Sequence, residues 1–500
     1  MSTSTHKSIS YTVVSSLWIM LATLICTPLY ILYLGVESYG LIGFYTTLLA
    51  IVAIIDNGFS SVASREIARM NSDPNKKSNI KNFFFSLEVA YWPIILVVVL
   101  CIFFIVNAGD TPWLSGETLG NEIIQDSISL ILFLTIFQIP CGLYMDALVG
   151  FQKHATFSLL AAVFGSIRTF GVLPFLIYYE DVRIFFLWQI LWAIIQVIII
   201  KVILFINFQR ISSIPASFSL DALLKIKSYL GGMFLITALS LAVSQADKII
   251  LSKILTLENF AYYMLAFTVA LSLSRLSSPI IQVFWPQLSS LSKESQNFEL
   301  SAKFLECIEL LSIVIIPLSA IIFIYSEPLL FLWTSDLEIT KNTKTLLSIL
   351  IIATSLNTLC LPALCVLYVR EVLFYVIKVN LLTLMVAIPL LFFYIPIYGS
   401  TAAAFIILLY GAAMFALFNF KAASLLKKKN LLFSVFKKVI TPIFISFTIS
   451  SFFYFALYAT ENRIYILALF AFLTLLSLLA NILCNQRLRG LLVKSIEEIY

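Results

Sequence analysis

The stretch ISYTVVSSLWIMLATLICTPLYILYL, Ile9 to Leu34, contains no charged residue and runs directly into Gly35-Val36-Glu37-Ser38-Tyr39-Gly40. As a helix rising 1.5 Å per residue it is about 39 Å long, more than a hydrocarbon core of about 30 Å requires. It is too long for the apolar core of a signal peptide and lacks a small-residue cleavage site. It therefore reads as a first membrane span, and the rest of the chain continues the pattern. The 500 residues are 61% hydrophobic, 14% aromatic and 12% charged, against roughly 25% charged in soluble domains. At about 20 residues per span plus a short connection, this length holds close to fourteen spans. The expected fold class is an all-α polytopic membrane protein.

Apolar runs place the next spans at Leu41 to Ser60, Asn82 to Val106, Ile123 to Val149, Ala155 to Tyr179 and Ile184 to Phe208. Six more follow at Tyr229 to Ile254, Phe260 to Gln287, Leu305 to Trp333, Thr345 to Tyr368, Val376 to Ile397 and Ser400 to Phe420. A last pair runs from Val439 to Ala459 and from Ile464 to Cys484. The longest polar stretches, Arg65 to Lys81, Asn107 to Glu122 and Gln209 to Ser228, are only loop-sized. They leave no room for an appended ATPase or a large catalytic loop. The glycines form neither G-x-x-x-x-G-K nor G-x-G-x-x-G, and with only His6 and His154 a histidine metal site is not expected. The seven cysteines lack metal-like spacing and read as buried small hydrophobes. No catalytic residue, cofactor or metal is expected.

Lysine and arginine set the orientation, because basic residues are retained in cytoplasmic loops. With these spans, 22 of the 32 fall on the side of the N-terminus, including Arg65, Arg69, Lys76, Lys77, Lys81 and the run Lys421, Lys427, Lys428, Lys429, Lys437 and Lys438. The opposite loops are acidic, as at Asp110, Glu117 and Glu122. Both termini are expected in the cytoplasm. The net charge of +6 follows from this asymmetry and from contact with lipid headgroups, so no nucleic-acid partner is implied.

The chain also repeats itself. Leu34 to Gly40 recurs as Leu255-Thr256-Leu257-Glu258-Asn259-Phe260-Ala261, and three span prolines recur at similar offsets: Pro93 with Pro317, Pro140 with Pro362, Pro174 with Pro389. Six spans separate the copies, an even number, so two six-helix lobes lie in parallel orientation. The expected division is residues 1–208 for the first lobe, 209–228 for a cytoplasmic linker, 229–420 for the second lobe, and 421–500 for an accessory helix pair and tail. Prolines inside spans break backbone hydrogen bonds and allow kinks, which suits lobes that rock between inward-open and outward-open states.

Charge within spans is the remaining candidate for chemistry, since inserting it is unfavourable by about 2.5–3.5 kcal/mol per residue. Arg168 and Arg275 fall near the middle of spans five and eight, one in each lobe. A phosphate about 4 Å from either would return about 4 kcal/mol at an effective dielectric constant of 20, and the planar guanidinium fits phosphate oxygens. Permanent pairing with an acid or with carbonyls is the alternative. Asp247 and Lys248 lie near the outer end of span seven, where they either pair with neighbours or snorkel. Asp56, Glu88 and Asp146 are candidates for binding a coupling proton or sodium, or for structural ion pairs. Lys201, Lys253 and Lys378 lie close enough to span ends to snorkel.

Several segments together resemble one family. Leu34-Gly35-Val36-Glu37-Ser38-Tyr39-Gly40-Leu41, then Asp56-Asn57-Gly58-Phe59 with Arg65, Gly150-Phe151-Gln152-Lys153, and Gln245-Ala246-Asp247-Lys248-Ile249-Ile250-Leu251-Ser252 leading to Tyr262 or Tyr263 are similar to the bacterial polysaccharide-unit transporters. These are the Wzx-type O-antigen flippases of the multidrug, oligosaccharidyl-lipid and polysaccharide exporter superfamily. The resemblance implies alternating access by two six-helix lobes in the bacterial inner membrane. It implies an undecaprenyl-pyrophosphate-linked oligosaccharide as substrate, carried from the cytoplasmic to the periplasmic leaflet. It further implies a charged central cavity, to which Arg168, Arg275 and Lys248 are assigned for the pyrophosphate, and work beside a polymerase and a chain-length regulator. A multidrug antiporter of the same superfamily is the alternative, and a membrane glycosyltransferase or polymerase a more distant one.

Overall fold

In lipid every backbone N–H and C=O needs an internal partner, so long apolar runs become helices. The computed structural model describes residues 3–73, 77–107, 113–211, 216–291, 294–428, 430–453 and 463–485. Lys76, Asp110, Lys429, the expected end of span thirteen at Ala459 and the tail beyond Asn485 lie outside them. Among the described residues there is no strand. Thirteen helices or interrupted helices are long and apolar enough to cross a membrane. A further helix of 35 residues, Leu220–Ile254, takes the place of the expected span Tyr229 to Ile254. The expectation of an all-α membrane protein of about fourteen spans is borne out.

The chain forms two compact units, Met1–Ala261 and Tyr262–Tyr500. The first contains α1 (Thr3–Leu34), α2 (Val36–Asn71), α3 (Ile80–Asn107), α4 (Asn121–Gln138), α5 (Pro140–Gly150), α6 (His154–Phe170), α7 (Leu173–Tyr179), α8 (Val182–Ile211) and α9 (Leu220–Ile254). Here α2 is the inner helix, packed on α5 and α9, while α1 packs on α6 and α4 on α8. Small residues permit the α2–α5 approach: a methyl at Gly150 would lie 2.8 Å from the Ser64 carbonyl oxygen and 2.9 Å from Ile67 Cβ.

α10 (Leu257–Arg275) begins at the unit boundary. The second unit continues with α11 (Ser277–Ser289), α12 (Asn297–Ile324), α13 (Ser326–Thr334), α14 (Leu337–Leu359), α15 (Leu361–Val369), α16 (Leu373–Tyr398), α17 (Ser400–Leu426), α18 (Leu431–Phe452) and α19 (Arg463–Cys484). α14 packs on α17 as α4 does on α8, and the final pair, α18 and α19, packs on α12.

The duplication is written into the backbone. Tyr39 N–H donates to the Gly35 carbonyl and Phe260 N–H to the Thr256 carbonyl, at 3.3 and 3.0 Å. α5 ends with Gln152 at φ 59° and α15 with Glu371 at φ 56°. Both ends close the same way, Lys153 N–H on Leu148 and Val372 N–H on Leu367, each at 2.9 Å; this is a left-handed cap that satisfies the last carbonyls of a helix. The proline pairs behave unequally. Pro140 and Pro362 each start the second half of an interrupted span, and Pro93 and Pro317 each lie inside a continuous helix. The third pair differs: Pro174 follows a break, whereas Pro389 is inside the continuous α16. The cysteine expectation also needs correction, since Cys101 and Cys484 are exposed on the protein surface.

Candidate functional site

Two breaks in the first unit create the polar interior. Span four stops at Gln138 and restarts at Pro140, because proline has no N–H to continue the ladder. Span five stops at Phe170, passes Gly171 and restarts at Leu173 ahead of Pro174. A side chain at Gly171 would lie 2.7 Å from Trp188 Cζ2, so glycine lets α8 approach. Three consecutive carbonyls at this break are taken up by neighbours. Trp188 Nε1 donates to Ile167 and Gln189 Nε2 to Arg168, both at 3.1 Å, and the Tyr30 hydroxyl donates to Thr169 at 2.7 Å.

Arg168 occupies the last turn before that break. One guanidinium nitrogen, Nη1, donates to the Gln138 side-chain oxygen, at the end of the other interrupted helix. Its Nε and Nη2 are buried and have no hydrogen-bond partner among the described residues. No carboxylate pairs with it among them. A buried donor left alone is unfavourable by about 1–3 kcal/mol, more for a charged group.

Asp56 on α2 faces the start of α5. Its Oδ1 accepts the Tyr91 hydroxyl at 2.6 Å and the Ser60 hydroxyl at 3.1 Å. The carboxylate lies so close to α5 that a methyl at Gly142 would be 2.1 Å from Oδ2. One turn before Tyr91, Glu88 accepts the Tyr144 hydroxyl at 2.5 Å and pairs with Lys201 Nζ at 2.6 Å. Trp92 Nε1 donates to the Tyr144 oxygen at 3.0 Å. The Lys201 ammonium sits 5.3 Å from the Tyr144 ring centre and 5.9 Å from that of Trp92. Lys201 therefore pairs inside the unit instead of snorkelling. Asp146, also on α5, is half-buried and has no hydrogen-bond partner among the described residues.

The structure thus brings Asp56, Glu88 and Asp146 together around α5. The other candidates stand apart. Asp247 and Lys248 on α9 are each 1% exposed, and Lys248 Nζ bonds both Asp247 carboxylate oxygens, at 3.1 and 3.0 Å, and the Ser244 carbonyl at 2.9 Å. Arg275 closes α10 just before the break at Leu276, where the sequence led us to expect an unbroken span, and it is exposed with no hydrogen bond or ion pair among the described residues. Lys253 lies over the Trp113 ring at 5.3 Å. Among the described residues no group of three His, Cys, Asp or Glu side chains is placed to hold a metal ion.

Sequence reasoning gave Glu37 no role. It is 5% exposed, and its carboxylate accepts the amides of Glu117, Thr118 and Leu119 at 2.7–3.1 Å. In the same loop the Ser115 carbonyl accepts Leu257 N–H at 2.8 Å. The recurrence of an acid at Glu258 in the repeated segment was the available signal.

No curated protein matches the chain in sequence. Solved structures do match in fold. A lipid II flippase MurJ in an inward closed conformation has a TM-score of 0.66 at 15% identity, covering 97% of this chain and 99% of that one. An inward-facing multidrug resistance MATE family transporter of the MOP superfamily has a TM-score of 0.60 at 14% identity, covering 84% and 100%. A MOP superfamily transporter from Pyrococcus furiosus follows at 0.57 and 14%, covering 85% and 97%. At such identities the likeness concerns the fold, which is that of these multi-pass transporters. A family model described as polysaccharide biosynthesis protein matches residues 33–336, well over half of the sequence, and the chain belongs to that family.

Proposed function

We propose that the protein is a flippase that moves an undecaprenyl-pyrophosphate-linked oligosaccharide, an O-antigen or related polysaccharide repeat unit, from the cytoplasmic to the periplasmic leaflet of a bacterial inner membrane. The observation that carries this reading is Arg168, a mid-span guanidinium with two buried nitrogens and no acceptor for either among the described residues. A pyrophosphate supplies pairs of anionic oxygens that a planar guanidinium bonds in bidentate fashion. Membership of a polysaccharide biosynthesis family and a fold shared with a lipid II flippase support it. Arg275, exposed at a helix break, is assigned to the same anion. Lys248, held by Asp247, is assigned to the cavity as a paired charge.

The acidic cluster is assigned to coupling. Asp56, Glu88 and Asp146 lie around one half-helix, and a coupling proton or sodium ion is assigned to one of these acids singly, where its binding would bias one state over another. Residues 1–208 and 229–420 are proposed as the rocking lobes, with both termini cytoplasmic and a polymerase and a chain-length regulator acting on the delivered units. The same acids, lined by Tyr91, Trp92 and Tyr144, favour a second reading as a cation-exporting multidrug antiporter, which drug-accumulation assays separate from the first. The test of the first reading is export of surface polysaccharide in a strain lacking its own transporter, scored against membrane abundance. Arg168→Ala should abolish export, Arg168→Lys should retain part, and Arg168→Glu should be worst. Full export by Arg168→Glu at normal abundance overturns the assignment.

A further inference from the structure

We propose that the groove between α12, α18 and α19 binds a phospholipid whose phosphodiester headgroup carries its own hydrogen-bond donors, as phosphoglycerol and phosphoethanolamine do. The groove encloses about 700 Å³ within the second unit, the range of small-molecule sites. Its polar wall is made by Lys428, Lys437, Lys438, Glu306, Glu309 and Asn481, and Leu305, Ile313 and Pro442 add apolar surface. Nothing in this site depends on the substrate proposed above.

Charge comes first. Lys438 Nζ is 2.5 Å from Glu309 and is already neutralised. Lys428 lies 5.6 Å from the Phe298 ring centre, and Lys437 is exposed with no side-chain hydrogen bond or ion pair among the described residues. Glu306 pairs with Lys303 at 3.1 Å, so Lys428 and Lys437, which form no ion pair among the described residues, favour an anion at the rim.

The second observation is at the floor. Asn481 is 3% exposed. Its amide nitrogen donates to the Ser477 carbonyl at 2.8 Å and to Ser446 Oγ at 3.1 Å. These bonds fix which end is oxygen, because the Ser477 carbonyl can only accept. The Asn481 Oδ1 atom is buried and has no donor among the described residues, an unfavourable state that native proteins rarely leave unexplained. An occupant must therefore bring an O–H or N–H to the floor and a negative charge to the rim, with hydrocarbon for the apolar wall. A phosphoglycerol or phosphoethanolamine lipid does all three. Phosphocholine has the phosphate and the chains but no donor.

The test uses the purified full chain and mass spectrometry of retained lipid after exchange against phosphatidylglycerol, phosphatidylethanolamine and phosphatidylcholine of matched chains, with soluble glycerol 3-phosphate as competitor. At least one donor-bearing lipid should be retained about tenfold over phosphatidylcholine, the effect of one charge-assisted or buried hydrogen bond. Asn481→Leu should erase that preference, and Lys428→Ala with Lys437→Ala should lower retention of all three lipids about tenfold. The lysines are peripheral, so their variant keeps the test valid if Asn481→Leu fails to fold. Glycerol 3-phosphate at equal concentration should not compete. Equal retention of phosphatidylcholine, indifference to both variants, or displacement by glycerol 3-phosphate would overturn the proposal.

Discussion

Gly142 should be irreplaceable for one reason, the Asp56 carboxylate. A methyl there would sit 2.1 Å from Asp56 Oδ2 and 2.9 Å from its Cγ, well inside the contact distance of about 3.5 Å. Asp56 cannot yield freely, because Tyr91 and Ser60 hold Oδ1. Overpacking of this kind destabilises by about 1–3 kcal/mol, and displacing the carboxylate would also strand the buried Tyr91 hydroxyl. Gly142→Ala should therefore lose about 2–6 kcal/mol in all. In an Asp56→Ala background the obstructing atoms are gone, and adding Gly142→Ala should change stability by less than about 0.5 kcal/mol. Denaturant titration in mixed micelles, run on the four proteins of the cycle, measures both steps. An equal penalty for Gly142→Ala in the two backgrounds would refute the reasoning, because the clash would then lie with the helix and not with Asp56.

Three further outcomes are expected. Glu88→Gln and Lys201→Met should each destabilise by about 1–3 kcal/mol, and the double variant should recover part of that loss in the same titration, because neither charge is then left alone. Glu37→Gln should weaken the hold on the amides of Glu117, Thr118 and Leu119, raising their hydrogen exchange about tenfold or more while leaving the Ser60 and Tyr91 region protected. In a cysteine-free background, single cysteines at Ser72 or Ser424 should resist an impermeant thiol reagent in intact cells and one at Ser115 should react; all three positions are exposed, so the reverse pattern would overturn the orientation.

The long apolar runs made the spans legible, since nothing but helix satisfies backbone in lipid. Periodicity could not show where a span is interrupted. Pro140 and Pro362 marked two interruptions, but Pro93 and Pro317 look the same in sequence and lie in continuous helices. At the break in span five, side chains remote in sequence also bond the carbonyls, as Trp188, Gln189 and Tyr30 do at Ile167 to Thr169. Depth counting identified Arg168 as an unusual charge, and the structure adds that Gln138 is its partner. The same counting placed Arg275 inside a continuous helix, which ends at that residue. Asp56, Glu88 and Asp146 were visible only as separate acids, because their association depends on α2, α3 and α5 meeting around Tyr91 and Tyr144.

Transbilayer movement in vesicles reconstituted with the purified chain tests the central claim most directly. The vesicles would carry an undecaprenyl-pyrophosphate-linked oligosaccharide on one leaflet, and a membrane-impermeant glycosidase would report its arrival on the other. The account predicts that the wild-type protein accelerates the appearance of cleavable oligosaccharide over protein-free vesicles and that Arg168→Glu, inserted at equal density, returns the rate to background. Movement no faster than in protein-free vesicles, or equal movement with Arg168→Glu, would contradict it.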